Sequence, residues 1–397
     1  MTRRAVITGI GAVSPLGVGA ETLIERWSRG ETGIIDGDAS CRDFDPLEFL
    51  SRKEVRRADR FTQLALAASD EAFEKAGWAE LPYDSRRIGC VIGTGIGGIG
   101  SLQQQSGVLR EKGAKAVSPL AVPLMMANAG SAAVAMRHGL NGESFGVVSA
   151  CAAGAHAIGT AVRMIRAGAA DAVVTGGAES ARTGIAVAAF ASMGATSPSG
   201  ISRPFDARRD GFVMGEGAGV LILEDHEVAT ARGADILGEI VGYGASSDAH
   251  HLTAPDPSGT ESARAIRMAL EDAGLAIGEI DYVNAHGTST PLNDRSETDA
   301  LKLAFGEDAG AVPVSSTKSV IGHLMGAAGA VEAVATTSAL GRGIAPPTVG
   351  LEQFEDGLDL DYVPNEARPI GQPGERLHAI SNSFGFGGHN AVLCIAA

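Results

Sequence analysis

The sequence predicts an α/β protein built from two similar halves. Short runs rich in Val and Ile alternate with Ala-rich stretches of helical length, which is the pattern of strand–helix–strand units. In each half a strand ends in serines and runs directly into an Ala- and Gly-rich helix, as VVSACAAGAHAIG and later as VSSTKSVIGHLMGAAGAVEAV. The length of 397 residues is enough for two domain-sized units. We therefore expect a duplicated layered architecture, divided into residues 1–245 and residues 246–397.

The elements of the first half follow from five apolar runs of strand-like composition. In chain order they are RRAVITGIGAV, RRIGCVIGTG, GESFGVVSA, DAVVTGGAES and AGVLILED. After GEIVGYGASSD the pattern begins again with the helical stretch ESARAIRMALEDAG, followed by IDYVNAHGTST, VPVSSTKSVIG, the helical stretch GAAGAVEAVATTSAL and HAISNSFGFGGHNAVLCI. Aromatic residues make up only 5% of the chain, so small side chains must let helices and strands pack closely.

Composition excludes several classes of function. A net charge of −15 argues against a nucleic-acid-binding protein, which would need a basic surface to neutralise phosphates. No apolar run is long enough to span a membrane, and Gly9, Gly11 and Pro15 interrupt the N-terminal run, which favours a buried strand over a signal peptide. Four cysteines lie far apart, at Cys41, Cys90, Cys151 and Cys394. Without a C-x-x-C pair they indicate neither structural zinc nor a disulfide framework, and we expect a cytoplasmic protein.

Cys151 is a candidate nucleophile, because it stands where an apolar strand meets a helix. Backbone N–H groups and the helix dipole at such a position favour an anion, so we expect the pKa of the thiol to be lowered. Small residues on both sides of it, in SACAAG, permit a tight turn and the close approach of a ligand. The same segment is compatible with a buried structural cysteine, and alone it does not decide between the two.

Two histidines follow predicted strands in the second half. His286 lies in NAHGTST directly after DYV, and His323 lies in KSVIGH shortly after VPVSS. Imidazoles in Gly-, Ser- and Thr-rich loops at strand ends can converge on a ligand, although a single histidine in a turn is commonly structural. Neither these histidines nor His250 and His251 have the spacing of a zinc site, and no carboxylate is suitably placed, so we expect no metal.

Two glycine-rich segments are further candidates for a ligand site. Residues 93–98 match G-x-G-x-x-G after a strand, but Glu111 falls in a polar stretch rather than at the end of a second strand. A loop beside a ligand tunnel explains this weak match equally well. Near the C-terminus, Phe384 and Phe386 stand among glycines that include Gly387, and we expect this loop to contact the ligand. The glycines would let Phe386 swing or let backbone N–H groups point at an oxyanion, and a simple hairpin loop is the alternative.

Five segments together resemble the β-ketoacyl-acyl-carrier-protein synthases, most closely the type II enzyme of fatty-acid elongation. In order they are SACAAGAHAIG, RPFDARRDGFVMGEGAGVLILE, NAHGTSTPLND, STKSVIGHLMGAAGAVEA and SNSFGFGGHN. The resemblance spans nearly the whole chain and implies a thiolase-like fold with a duplicated five-layered αβαβα architecture and, usually, a homodimer. It also implies substrates carried as acyl and malonyl thioesters on the phosphopantetheine of acyl carrier protein, with no cofactor of the enzyme's own.

The resemblance assigns roles to individual residues. It implies a catalytic triad of Cys151, His286 and His323, supported electrostatically by Lys318 and Glu332. Cys151 would take the acyl chain by thioester exchange. The two histidines would then donate hydrogen bonds to the malonyl thioester while CO2 is lost and the resulting carbanion attacks the acyl chain.

Other matched positions would contact the substrate. Thr288 and Thr290 match positions that bind the phosphopantetheine arm, and Phe386 resembles the residue that gates the acyl-enzyme. The backbone N–H group of Phe386, with that of the nucleophile, would form the oxyanion hole. Phe190 and Ile96 match residues that line the gate and the acyl pocket.

A local basic cluster contrasts with the negative charge of the whole chain. It consists of Arg52, Lys53, Arg56 and Arg57, at the start of a helix-like stretch. A solvated helix face is the alternative interpretation. Because three of these positions match the family's carrier-protein patch, we interpret the cluster as a docking site for acyl carrier protein.

Some positions depart from the family's elongation enzymes. Ala153 stands where Thr is often found, Ala254 where Ser often meets the pantetheine arm, and Gly194 where an Arg often contacts the carrier protein. A ketosynthase of a type II polyketide pathway, paired as a heterodimer with a chain-length partner, is therefore an alternative. A non-catalytic chain-length subunit would lack Cys151, and a degradative thiolase would use a second cysteine as base, so both fit less well.

Overall fold

The computed structural model describes residues 3–372 and 374–397 and contains a mixed sheet of 11 strands with a separate pair of short strands. The strands are β1 Ala5–Ser14, β2 Gly17–Val18, β3 Ile88–Gly93, β4 Ser144–Val147, β5 Ala172–Glu179, β6 Gly217–Asp225, β7 Gly238–Ser247, β8 Tyr282–Asn284, β9 Val314–Ser315, β10 Ile344–Ala345, β11 Arg368–Pro369, β12 His378–Gly385 and β13 His389–Ala396. The helices are α1 Ala20–Ser28, α2 Pro46–Phe49, α3 Arg52–Val55, α4 Arg60–Lys75, α5 Ile99–Lys112, α6 Ala121–Met125, α7 Ala129–His138, α8 Ala153–Arg166, α9 Gly184–Ser192, α10 His226–Ala231, α11 Thr260–Ala273, α12 Pro291–Phe305, α13 Lys318–Ile321 and α14 Ala328–Gly341.

The strand order repeats within the large sheet. Across the sheet, the order β4-β3-β5-β6-β1 is followed by β7-β13-β12-β8-β9. If β2, β10 and β11 are left out and the remaining strands of each half are numbered in chain order, both halves have the order 3-2-4-5-1 counted from the outer edge. In both, the three outer strands are parallel and the two inner strands are antiparallel to their neighbours. The same topology therefore occurs twice.

The two halves meet where β1 and β7 pair over two residues each, Val6 with Glu239 and Ile7 with Gly238. By its place in the strand order, β7 is the first strand of the second half, and the sequence-based division after residue 245 falls inside it. We propose that the division into two halves lies just before β7, in the segment that follows α10.

Helices form three layers around and between the two half-sheets. Helices α8 and α14 pack against each other and contact strands of both halves, so they form the central layer. Helices α4 and α7 cover the outer face of the first half-sheet, and α11, with α12 beside it, covers that of the second. The five-layered αβαβα architecture expected from the sequence is confirmed by this arrangement.

Glycines in the inner strands allow the outer helices to approach closely. A Cβ atom on Gly11 of β1 would lie 2.1 Å from the carbonyl oxygen of Ala68 in α4. In the second half, a Cβ atom on Gly244 of β7 would lie 2.0 Å from the carbonyl oxygen of Ala265 in α11. These contacts explain in part how a chain poor in aromatic residues forms a dense core. Among the described helices, none combines the length and the apolar character that a membrane crossing requires.

Candidate active site

Cys151 lies in a one-turn 3₁₀ helix between β4 and α8, at the place where the sequence predicts a sharp turn. Ala150, directly before it, has a φ of 49°, which is unusual for a residue with a side chain. Close packing holds the turn, since a Cβ atom on Gly154 would lie 2.8 Å from the backbone nitrogen of Ala330 in α14. The small residues of this segment are therefore needed to bring the thiol against the central layer of helices.

The two histidines converge on Cys151 from the second half. His323 follows α13, and its Nε2 lies 3.0 Å from the Sγ of Cys151. His286 follows β8, and its ring centroid lies 5.4 Å from that of His323, with the two rings nearly perpendicular. All three side chains are buried. Within the described residues, no group of three or more His, Cys, Asp or Glu side chains is arranged to hold a metal ion.

The expected lowering of the pKa of the Cys151 thiol is wrong. Burial raises the pKa of this thiol to about 11, although a hydrogen bond from the backbone N–H of Phe386 and the charge of Lys318 act in the opposite direction. The sequence indicates a helix start but not that the thiol is enclosed, and the cost of burying an anion exceeds the stabilisation there. The thiol is therefore neutral until its proton is removed.

Lys318 and Glu332 form a buried ion pair behind the two histidines. Burial lowers the pKa of His286 and of His323 well below the usual value, and the positive charge of Lys318 lowers it further. Both imidazoles are consequently neutral near pH 7, and in this state each can donate one N–H hydrogen bond.

A cavity of about 510 Å³ opens onto Cys151. Nine of the residues that the sequence singled out line it: Cys151, His286, His323, Thr288, Thr290, Phe190, Ile96, Phe384 and Phe386. The hydroxyl groups of Thr288 and Thr290 lie 2.9 Å apart at the start of α12. Both hydroxyl-bearing residues line the same cavity as the thiol and the two histidines.

Aromatic rings surround the inner end of the cavity. The Phe190 ring lies 6.3 Å from the ring of Phe386 and 5.6 Å from that of Phe212, between centroids. Phe212 in turn meets His323 edge-to-face at 5.4 Å. Phe386 and His323 therefore lie against the same pair of aromatic rings, Phe190 and Phe212.

Backbone N–H groups point at the sulfur from two sides. Those of Phe386 and of Cys151 itself lower the pKa of the thiol by hydrogen bonding to the sulfur. Gly385 keeps the two segments close, because a Cβ atom on it would lie only 3.1 Å from the backbone nitrogens of Cys151 and Ala152.

The remaining sequence-based candidates lie outside the cavity wall. Gly387 occupies the turn between β12 and β13 with a φ of 87°, and its N–H donates to the carbonyl of Leu252 at 2.9 Å. Lys318 and Glu332 act from behind the histidines. The four basic residues, Arg52, Lys53, Arg56 and Arg57, are exposed on and directly after α3.

Glu297 is a site residue that sequence reasoning missed. Its carboxylate accepts hydrogen bonds from the backbone N–H of His286 at 2.8 Å and of Gly287 at 2.7 Å, and from the amide of Asn382 at 3.0 Å. Burial raises its pKa to about 7. It stands in a helix with several other charged residues, so no local pattern marks it as the one that faces the site.

Comparisons with known proteins extend over both halves of the chain. Residues 2–229 match the family described as Beta-ketoacyl synthase, N-terminal domain, and residues 237–352 match its C-terminal domain. The chain is 46% identical to a 3-oxoacyl-[acyl-carrier-protein] synthase 2 of Synechocystis sp., with 98% of this chain and 97% of the relative covered. It is 42% identical to one of Vibrio harveyi, with 98% of each covered.

Solved structures similar to this chain include ketosynthases of two assemblies. The ishigamide ketosynthase/chain length factor has a TM-score of 0.93 and 34% identity, with 100% of each chain covered. A ketosynthase bound to the hexaketide, in complex with its type II polyketide acyl-carrier protein, has a TM-score of 0.91 and 30% identity, again with 100% of each chain covered. The similarity therefore includes the regions that carry the thiol and both histidines.

Proposed function

Because the chain belongs to the β-ketoacyl synthase family, we propose that Cys151 carries the acyl chain that this condensing enzyme elongates. The enzyme is a β-ketoacyl-[acyl-carrier-protein] synthase, which condenses malonyl carrier protein with an acyl chain and lengthens it by two carbons in fatty-acid elongation. The observation that supports Cys151 most directly is the 3.0 Å contact between its sulfur and His323 at the end of a cavity.

The first step is thioester exchange. The thiol of Cys151 loses its proton to His323, the neutral imidazole in hydrogen-bond contact with it, as the sulfur attacks the carbonyl carbon of the acyl carrier thioester. The bond from that carbon to the pantetheine sulfur breaks, and the released thiolate takes up the proton. The N–H groups of Cys151 and Phe386 stabilise the oxyanion that forms between these events.

The second step joins two carbons to the bound chain. Malonyl carrier protein loses CO2, and the electron pair of the broken bond forms an enolate on the thioester. His286 and His323 donate hydrogen bonds to this developing charge. Burial and the charge of Lys318 keep each imidazole neutral, and a neutral imidazole has one N–H to donate. The enolate carbon then attacks the acyl carbonyl, and the Cys151 thiolate leaves. Loss of CO2 drives the bond formation, so these steps require no cofactor.

The partner that delivers both substrates is acyl carrier protein, whose docking site we place at Arg52, Lys53, Arg56 and Arg57. Support comes from the exposure of this basic cluster and from the related ketosynthase that was solved in complex with its acyl-carrier protein. The polyketide alternative has less support, since the relatives at 42–46% identity are named for 3-oxoacyl-carrier-protein synthesis.

Intact mass spectrometry tests the proposal. The protein is incubated with acyl carrier proteins that bear chains of different lengths, and we expect the mass of one acyl group on the wild-type chain and none on Cys151→Ala. Addition of malonyl carrier protein should discharge the acyl group as a 3-oxoacyl product. Acylation that persists in Cys151→Ala would place the chain on another residue and overturn the assignment.

A further inference from the structure

Glu179, the last residue of β5, is a buried carboxylate that the condensation steps do not use. Within the part of the chain that the structure describes, its hydrogen-bond partners are three backbone N–H groups and one hydroxyl, and none of them is a Lys or Arg side chain. A carboxylate buried without a cation is costly, and such groups require a specific reason to be retained.

The groups that Glu179 holds belong to two different loops. Its Oε2 accepts from the N–H groups of Gly95 and Ile96, in the loop that follows β3, and from the N–H of Gly326, in the turn that follows His323. The Ile96 distance is 3.2 Å and the Gly326 distance is 3.3 Å. One carboxylate therefore joins a wall of the cavity to the segment that carries a histidine.

These loops pack so closely that no side chain fits between them. A Cβ atom on Gly326 would lie 2.0 Å from the backbone nitrogen of Gly95, and a Cβ atom on Gly177 would lie 2.7 Å from the carbonyl oxygen of Gly326. Gly95 also lies near the nucleophile turn, since its Cβ atom would be 3.6 Å from the carbonyl oxygen of Ala150. The carboxylate thus stands at the junction of all three segments.

The charge of Glu179 also acts on the reacting sulfur. Its negative charge raises the pKa of the Cys151 thiol, whereas the positive charge of Lys318 lowers it. The other titratable groups at the sulfur are His323, in hydrogen-bond contact, and His286 beside it. Burial raises the pKa of Glu179 itself to about 7, so its charge changes near neutral pH.

We propose that Glu179 is a positioning residue that fixes the Ile96 loop and the turn after His323 against the nucleophile turn, and that its charge restrains formation of the Cys151 thiolate. The part of the proposal that concerns the acyl pocket rests on the proposed function. The part that concerns the thiol does not, because thiolate formation can be measured without any acyl substrate.

The variant Glu179→Gln isolates the charge. A glutamine oxygen can accept from the same three N–H groups while its NH2 group donates to the hydroxyl of Thr94, so the loops stay in place. We expect the pH at half-maximal alkylation of Cys151 by iodoacetamide to fall, with alkylation several-fold faster at pH 8. The matched control is Glu74→Gln, which removes an exposed charge on α4 and should leave the alkylation profile unchanged.

The variant Glu179→Ala removes the hydrogen bonds as well. We expect its discrimination among acyl chain lengths, measured as initial rates of Cys151 acylation, to weaken several-fold because Ile96 is no longer fixed. Glu179→Gln should keep the wild-type discrimination. If Glu179→Ala does not fold, the proposal is tested by the alkylation profile of Glu179→Gln, compared with those of the wild type and of Glu74→Gln.

A wild-type alkylation profile in Glu179→Gln, or wild-type chain discrimination in Glu179→Ala, would overturn the proposal. Failure of the proposed function is distinguishable from this outcome. In that case the wild-type protein would take up no acyl chain on Cys151, while the alkylation experiment would still report whether Glu179 restrains the thiol.

Discussion

Charged groups of opposite sign shift the pKa of the Cys151 thiol in opposite directions. Burial and Glu179 raise the pKa of its thiol, and Lys318 and the N–H of Phe386 lower it. The resting thiol is therefore protonated, and in the proposed mechanism it becomes reactive as His323, 3.0 Å away, accepts its proton. Such a balance makes the reactivity of the sulfur sensitive to single changes of charge at residues that never touch it.

Replacement of Lys318 by Met should raise the pKa of the Cys151 thiol and slow its alkylation at pH 8. Because Lys318 and Glu332 are each 1% exposed, loss of one partner leaves a buried carboxyl without its cation, and we expect a destabilisation of about 3–5 kcal/mol. Urea unfolding and the rate of alkylation measure the two effects.

The double variant Lys318→Met/Glu332→Leu separates stability from reactivity. It removes both charges, so we expect most of the stability to return while alkylation stays slow. Recovery of the wild-type alkylation rate in the double variant would show that Lys318 does not act on the thiol through its charge.

Gly385→Ala should impair catalysis without unfolding the protein. The added Cβ atom would lie 3.1 Å from the backbone nitrogens of Cys151 and Ala152, so it should displace the N–H groups of the oxyanion hole. We expect kcat to fall on the order of 10- to 100-fold, less than for complete loss of one donor. Gly310→Ala is the control, since a Cβ atom there meets nothing within 4 Å. Equal kcat values for the two variants would contradict this role.

At the scale of elements, the alternation of apolar runs with Ala-rich stretches predicts most of the fold. Strands β3, β4, β5, β7, β8 and β9 lie within the runs identified in the sequence, and β1 and β6 each extend one residue beyond theirs. The final run, HAISNSFGFGGHNAVLCI, is instead a hairpin of two strands, β12 and β13, because its glycines form a turn. Helices α8, α11 and α14 were identified in the sequence, whereas α1, α5 to α7, α9, α10 and α12 were not.

The candidate site could be predicted where local sequence carries the signal. Cys151 and His286 each follow a strand, His323 follows the short helix α13 in a segment that the sequence places shortly after a strand, and all three line the cavity. Glu297 and Glu179 could not be found in this way. Their importance depends on which loops fold back onto them, and this is a property of the tertiary structure rather than of the local pattern.

The close contacts between strand and helix predict a matched pair of stability effects. Gly11→Ala should push β1 away from α4, and Gly244→Ala should push β7 away from α11, because in each case the new atom meets a backbone oxygen. We expect each to lower the free energy of unfolding by about 1–3 kcal/mol. Chemical denaturation measures both, with Gly278→Ala as the control that meets nothing within 4 Å. A neutral effect at either position would show that the helix there can shift freely.

At the scale of the whole molecule, one edge of the large sheet is uncovered. Strand β4 forms that edge and is partly exposed, whereas β9 at the opposite edge is buried. Exposed apolar side chains accompany β4 on neighbouring segments, and they include Val122, Met126, Met136 and Val148. An open strand edge beside apolar surface is typical of an interface.

We expect this surface to pair with a second copy of the chain. Analytical ultracentrifugation should give the mass of a dimer, and Met136→Glu, a change at a side chain that is 78% exposed, should shift it toward the monomer. Leu303→Glu, on the far helix α12, is the control and should leave the mass unchanged. A monomeric wild type would leave the surface to a different partner, such as a chain-length subunit.

The basic cluster is a local exception on a chain of net charge −15. Arg56→Glu/Arg57→Glu should raise the KM for acyl carrier protein and leave kcat unchanged, because these side chains would act in docking and lie outside the cavity. The effect should shrink as salt is added. Lys75→Glu, at the opposite end of α4, serves as the charge control. Unchanged kinetics at low salt would reject the docking site.

The division of the active site between the two halves has a consequence for synthesis. The ribosome completes the half that carries Cys151 before it makes Lys318 and His323, and domains emerge and fold from the N-terminus. A nascent first half therefore holds a cysteine with no imidazole to take its proton and no lysine to favour its anion. The thiol acquires both only when the second half docks, so the pairing of sulfur and imidazole is assembled late, after synthesis has passed His323.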